Sequence, residues 1–224
     1  MFEQIPPPFD LVGPLLSGAL VTVGVAAVSC ILALAVAFVA GLARISRAFP
    51  VRAAATAFVE FFRGTSLIVQ MFWIFYVLPL FGFSTGPIET GVLLLGLHFG
   101  AYGSEIVRGT VLSVDRGQWD AATALNMSSG LTMRRIILPQ AFVAMLPPFT
   151  NTAIELLKGT AIMSLIAVPE LAAAGRTLVL NSGRTAEVFS LVLVFYFLIA
   201  YPLSRLVRAF EDRQAGKIRG VRNG

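Results

Sequence analysis

Residues 11–43 carry no charged side chain, a longer run than the roughly 20 apolar residues a helix needs to cross a bilayer. Pro14 and Gly18 fall early in it and predict a short outer segment followed by a helix over 18–42. A second apolar stretch covers 53–80 and ends in the turn-rich PLFGFSTGP, and a third covers 88–112. Apolar residues resume over 136–168, interrupted by Pro147-Pro148, and a last stretch covers 188–207. The pattern predicts an all-α integral membrane fold with five transmembrane helices in one domain, 1–224. No internal repeat or low-complexity tract is visible.

One polar interlude breaks the pattern: GQWDAATALNMSSGLTMRRIILPQA, residues 117–141. Asp115 can cap a helix start, and Gln118 three residues on completes the spacing of a capping box. The helix that follows is rich in small side chains (Ala121, Ala122, Ala124), which let a backbone approach a partner closely, and Trp119 offers one large anchor. Asn126 tolerates the left-handed conformation that ends a helix. Ser128 or Ser129 can cap a second short helix through Arg135, and Pro139 marks re-entry to the membrane. Two readings stand on these residues: a bracket shaped to dock on a partner, or an amphipathic loop lying on lipid headgroups.

Composition agrees with the pattern, since 57% of the 224 residues are hydrophobic and 13% charged, against about 25% charged in soluble domains. Lys and Arg fall unevenly. Arg44, Arg47 and Arg52 follow the first span; Arg116, Arg134 and Arg135 lie in the interlude; Arg205, Arg208, Arg213, Lys217, Arg219 and Arg222 are in the tail. The opposite connections hold only Arg176 and Arg184. The positive-inside rule then puts the N-terminus outside and the C-terminus inside, as an odd number of spans requires. Residues 1–10 lack Lys and Arg, so a cleavable signal peptide is not indicated and the first span is expected to be retained. A lone Cys30 excludes an internal disulfide.

DAATALN followed by IILP resembles the EAA signature of ABC importer permeases. EFFRGTSLIVQ (60–70), EIVRGTVLSVDRGQWDAA (105–122), LPQAF, LPPFTN and LLKGT are similar to motifs of the polar amino-acid uptake branch, in that branch's order. The likeness runs from the first span to the tail. It implies a bacterial inner-membrane permease subunit with a coupling loop at about 115–138, in which Gln118, Trp119, Asp120, Ala121, Ala122, Leu125 and Asn126 meet the ATPase. It implies two ATPase subunits, a second permease (identical or homologous) and an extracytoplasmic solute-binding protein. The solute would be a polar amino acid or a zwitterionic compatible solute such as ectoine. Asp120 stands where the family usually has Glu, Asn126 for Gly, Ser66 for Pro, Gly159 for Asp, and Gly103-Ser104 for Ala-Glu. The last two departures weaken transfer of specificity, because polar membrane residues are where specificity would sit.

No phosphate-cradling GxxxxGK[ST] occurs, so ATP and Mg are expected on a separate ATPase and this chain is expected to be no enzyme. No metal site is expected: His98 is the only His, with no ligating neighbour, and reads as a packing or hydrogen-bonding residue. No nucleic-acid partner is expected, whereas membrane lipid is. Three charged pairs recur at i, i+3: Glu60–Arg63, Glu105–Arg108 and Glu155–Lys158. The first two read as structural pairs at span ends. Glu155 and Lys158 lie deep in the fourth span, one helical stripe with Asn151. That stripe is either a substrate pathway or a mutually neutralised buried pair. A stand-alone secondary transporter is the rival class; it would carry paired inverted repeats and need no docking loop.

Overall fold

The computed structural model describes the backbone of residues 9–222, and side chains of residues 10–202, 204 and 205. No strand occurs among the described residues. Helix α1 (Val12–Ala43) runs unbroken, so the predicted separation at Pro14 and Gly18 does not occur. Pro14 lies in the first turn, where its missing N–H has no intrahelical acceptor to lose. At Gly18 a Cβ would come within 3.0 Å of the Leu171 Cα, so the glycine serves close approach to another helix.

Helix α1 packs along α4 (Pro87–Ser113), and their shared seam is small. Ala33, Ala37, Ala40 and Gly41 of α1 are buried. A Cβ on Gly100 would lie 2.6 Å from that of Val36, and one on Gly41 2.7 Å from that of Val107. Lipid supplies no hydrophobic drive between helices, so close backbone packing of small residues holds such a seam.

The second and fourth apolar stretches are bent. Helix α2 (Phe49–Gly64) meets the segment Leu67–Phe81 at 100°. That segment comprises α3 (Leu67–Phe72), a wider π turn (Trp73–Val77) and a 3-10 turn. Thr65 and Ser66 are extended at the bend. The Gln70 amide covers the break, donating to Phe62 O at 3.2 Å and to Thr65 Oγ1 at 2.5 Å, while His98 Nδ1 sits 3.3 Å from Gln70 Oε1. His98 therefore hydrogen-bonds and packs, beside Phe99 and Tyr102.

After α4 come α5 (Arg116–Ala124) and α6 (Ser129–Thr132), a π turn (Met133–Ile137), α7 (Leu138–Gly159) and a 3-10 stretch to Ile166. Helix α8 (Leu171–Ser182) leaves that path at 49°, and α9 (Thr185–Arg222) is the last described element. Among the described residues, three helices are long and apolar enough to cross a membrane, and up to five crossings result if each bent pair is one span.

Two expectations about the fourth stretch fail. Helix α7 continues through Pro147 and Pro148 instead of breaking there. Helical structure also runs from Ser129 through Pro139 without stopping at Arg135. Pro139 sits in the first turn of α7, just after the wider turn, where a ring without N–H is tolerated.

Candidate functional site

The interlude forms a compact bracket. Asp115 Oδ1 accepts from the Gly117 N–H at 2.6 Å and starts α5. The reciprocal half of the expected capping box is not made, because Gln118 Oε1 takes the Gln140 amide at 3.3 Å instead. At the other end Asn126 is left-handed, φ +55°. Its N–H donates to Thr123 O at 2.9 Å, and the Met127 N–H to Ala122 O at 3.0 Å, a Schellman closure that occupies two end carbonyls. Ser128 Oγ then caps α6 on the Leu131 N–H.

Helix α5 has two faces. Trp119 is half-buried and packs on the cluster of Val107, Val111, Ile137, Ala141 and Met145, and Ala122 is 1% exposed. Gln118, Asp120, Ala121, Leu125 and Asn126 face outward, with Leu125 75% exposed. The buried side of Trp119 thus fastens the bracket to its own subunit, while the rest of its ring stays open to a cavity beside Thr123 and Met127. Ile45 and Met133, residues the sequence separates widely, pack on the same cluster.

Near the ends of α1 and α2 the charges pair differently from the helical spacing. Glu105 Oε1 accepts from Arg44 at 2.6 Å and Arg63 at 2.9 Å, and Oε2 from Arg108 at 3.4 Å. The expected Glu60–Arg63 pair is absent, because Arg63 turns to Glu105 and leaves Glu60 exposed on another face. Glu105–Arg108 forms as predicted.

Asn151, Glu155 and Lys158 share one stripe of α7, and all three are exposed on this chain. No ion pair joins Glu155 to Lys158, so the neutralised-pair reading loses its contact. The next residue, Gly159, packs on Phe99 and Leu95, near the middle of α4. Thr150 and Thr152 point elsewhere: their hydroxyls donate to Leu146 O and Pro148 O, and they line an apolar cavity of 310 Å³ with Cys30, Phe99 and Phe149. Among the described residues no group of His, Cys, Asp or Glu is arranged to hold a metal ion.

The sequence reading passed over Glu170. It is fully buried at the bend before α8, where its carboxylate accepts from the Ala172 and Ala173 N–H groups and from Tyr196 Oη at 2.9 Å. Thr22 Oγ1 accepts from the Leu171 N–H beside it. Glu170 thus ties the start of α8 to α9, and the adjoining Leu171 N–H ties it to α1. A carboxylate directly after Pro169 and ahead of LAAA is a helix-start signal, and it was available in the sequence.

A family model described as "Binding-protein-dependent transport system inner membrane component" matches residues 31–216. The probable amino-acid ABC transporter permease protein y4tF of Sinorhizobium fredii is 41% identical over 209 residues, covering 91% of this chain and 88% of its own. The L-cystine transport system permease protein TcyB of Bacillus subtilis is 36% identical over 212 residues, covering 92% and 91%. Among solved structures, a crystal structure of an amino acid ABC transporter with histidines matches with a TM-score of 0.85 at 30% identity, over 90% of this chain and 94% of that one.

Proposed function

This chain belongs to the family of binding-protein-dependent transport system inner membrane components, and from that premise we propose that it is the permease subunit of an importer for a polar amino acid. It lies in the bacterial inner membrane with its N-terminus outside. Two ATPase subunits bind and hydrolyse ATP with Mg on the side of the α5–α6 bracket. An extracytoplasmic binding protein delivers solute on the other side, and a second permease, identical or homologous, completes the passage. The outward face of α5 (Gln118, Asp120, Ala121, Leu125 and Asn126) meets the ATPase, while Trp119 and Ala122 hold that face rigid from behind.

The observation that carries the transport reading is the unpaired stripe on α7. A charge left facing lipid within the apolar fourth stretch is costly, so Asn151, Glu155 and Lys158, on the C-terminal half of α7, need cover from another subunit or from water. Their amide, carboxylate and ammonium suit the two charges of a zwitterion, which otherwise loses its hydration without replacement. The passage then lies between this α7 and the second permease. Relatives named for amino acids favour that class of solute; ectoine presents the same pair of charges and is the second candidate.

Exchange of the charges (Glu155→Lys with Lys158→Glu) tests the reading through uptake and membrane abundance. Normal abundance with lost uptake is expected, because an oriented solute meets the wrong charge at each end. Normal abundance with normal uptake would refute the passage. Competition of labelled amino-acid uptake by ectoine separates the two solutes.

A further inference from the structure

Three guanidiniums around one carboxylate leave two positive charges uncompensated at Glu105. Each arginine reaches Glu105 through Nη1 alone, so most N–H groups of its donor fork remain free for another acceptor. Arg44 is 8% exposed and fixed, whereas Arg63 and Arg108 are open on the chain surface. We propose that Arg63 and Arg108, braced by Arg44 and Glu105, form a binding site for a phosphate-bearing anion, supplied by the headgroup of an anionic phospholipid.

The surroundings fit that ligand. Arg44 caps the end of α1, and Glu105 lies about 12 Å along α4 from its last residue, Ser113, so the cluster sits where the apolar spans give way to headgroups. It is at the bracket's end of the molecule, since Ile45 and Trp119 pack on one cluster. The carbons beside both open arginines are clear: nothing comes within 4 Å of a Cβ built on Gly64 or Gly109. Arg63 lies over the Tyr102 ring at 5.3 Å, which orients its fork, and Tyr102 and Phe61 are exposed apolar surface for acyl chains. A planar fork matches phosphate oxygens, and basic pockets between spans are suited to anionic headgroups. Glu105 does not repel the headgroup outright, because its charge is already outweighed. This site is independent of which solute is carried.

The test uses the assembled transporter with its ATPase, released from bilayers of phosphatidylcholine mixed with phosphatidylglycerol, and native mass spectrometry counts the lipids retained. The variant Arg63→Gln with Arg108→Gln keeps the Arg44–Glu105 pair, and Arg52→Gln, an exposed arginine at the same end, serves as control. Wild type and control should retain phosphatidylglycerol preferentially, with the preference falling roughly fivefold for each cluster arginine removed. Arg108→Gln alone should give the intermediate value, which guards against a double variant that fails to assemble. Inorganic phosphate is titrated into lipid-depleted complex by calorimetry. Arginine-dependent binding there with no lipid preference would keep the phosphate chemistry but assign it to the free ion. An unchanged preference in the double variant, or no preference and no phosphate binding in wild type, overturns the site; a second permease covering the cluster would give that last result.

Discussion

Ala121 and Ala122 are neighbours with opposite fates, and the difference can be measured. A bulky side chain at Ala122 enters the closed contact behind α5 and should cost about 1–3 kcal/mol by overpacking, lowering membrane abundance. The same change at Ala121, or Asp120→Lys, adds bulk or reverses charge on an exposed face. It should leave abundance intact and reduce solute-stimulated ATP hydrolysis in reconstituted complexes. Equal abundance for both alanine variants would contradict the orientation of α5. Glu170→Ala should be the more damaging change at the α8 bend: it strands two backbone N–H groups and the Tyr196 hydroxyl, at roughly 1–3 kcal/mol for each buried group left unpaired. Glu170→Gln keeps an acceptor oxygen and should lie between, as read by thermal inactivation of the purified complex. At this scale the sequence was legible where a residue's own backbone preference decides, as at Asn126. It was silent on the packing of Trp119 against Val107 and Ile137, because helical spacing says which residues share a face but not what that face meets.

The apolar stretches were legible as elements because long uncharged runs have no stable alternative in a bilayer. Their bends were not. Pro147 and Pro148 looked like a break, yet α7 carries them, while the actual bends fall at Thr65–Ser66 and at Ala167, a non-glycine residue with φ +63°. Side chains distant in sequence make those bends stable: Gln70 with His98 at the first, Glu170 with Tyr196 and Thr22 at the second. Local propensity does not report such partners. Gln70→Leu should therefore uncover the Phe62 carbonyl and loosen α3 against α4. The measurement is protease sensitivity of the 64–67 connection, which should rise while the α1–α4 seam stays protected. By contrast, Gly100→Leu strikes that seam, where even a Cβ would overlap Val36, and should abolish stable insertion of the subunit.

For the whole molecule, the family makes the chain a permease component, and under the proposed function the arginine asymmetry turns its basic end towards the ATPase. A reporter fused after Gly224 should read cytoplasmic and one within 84–87 external; reversed signals would overturn the orientation. In the proposed function the unpaired α7 stripe serves a passage between permeases and the exposed face of α5 a contact with the motor. The deciding measurement is uptake of a labelled polar amino acid by sealed vesicles that hold this chain with its second permease, ATPase and binding protein. Uptake should require ATP on the bracket side and the binding protein on the other, and should persist when ion gradients are collapsed. Uptake that survives without ATP and follows an imposed ion gradient would contradict the account and make the chain a secondary transporter.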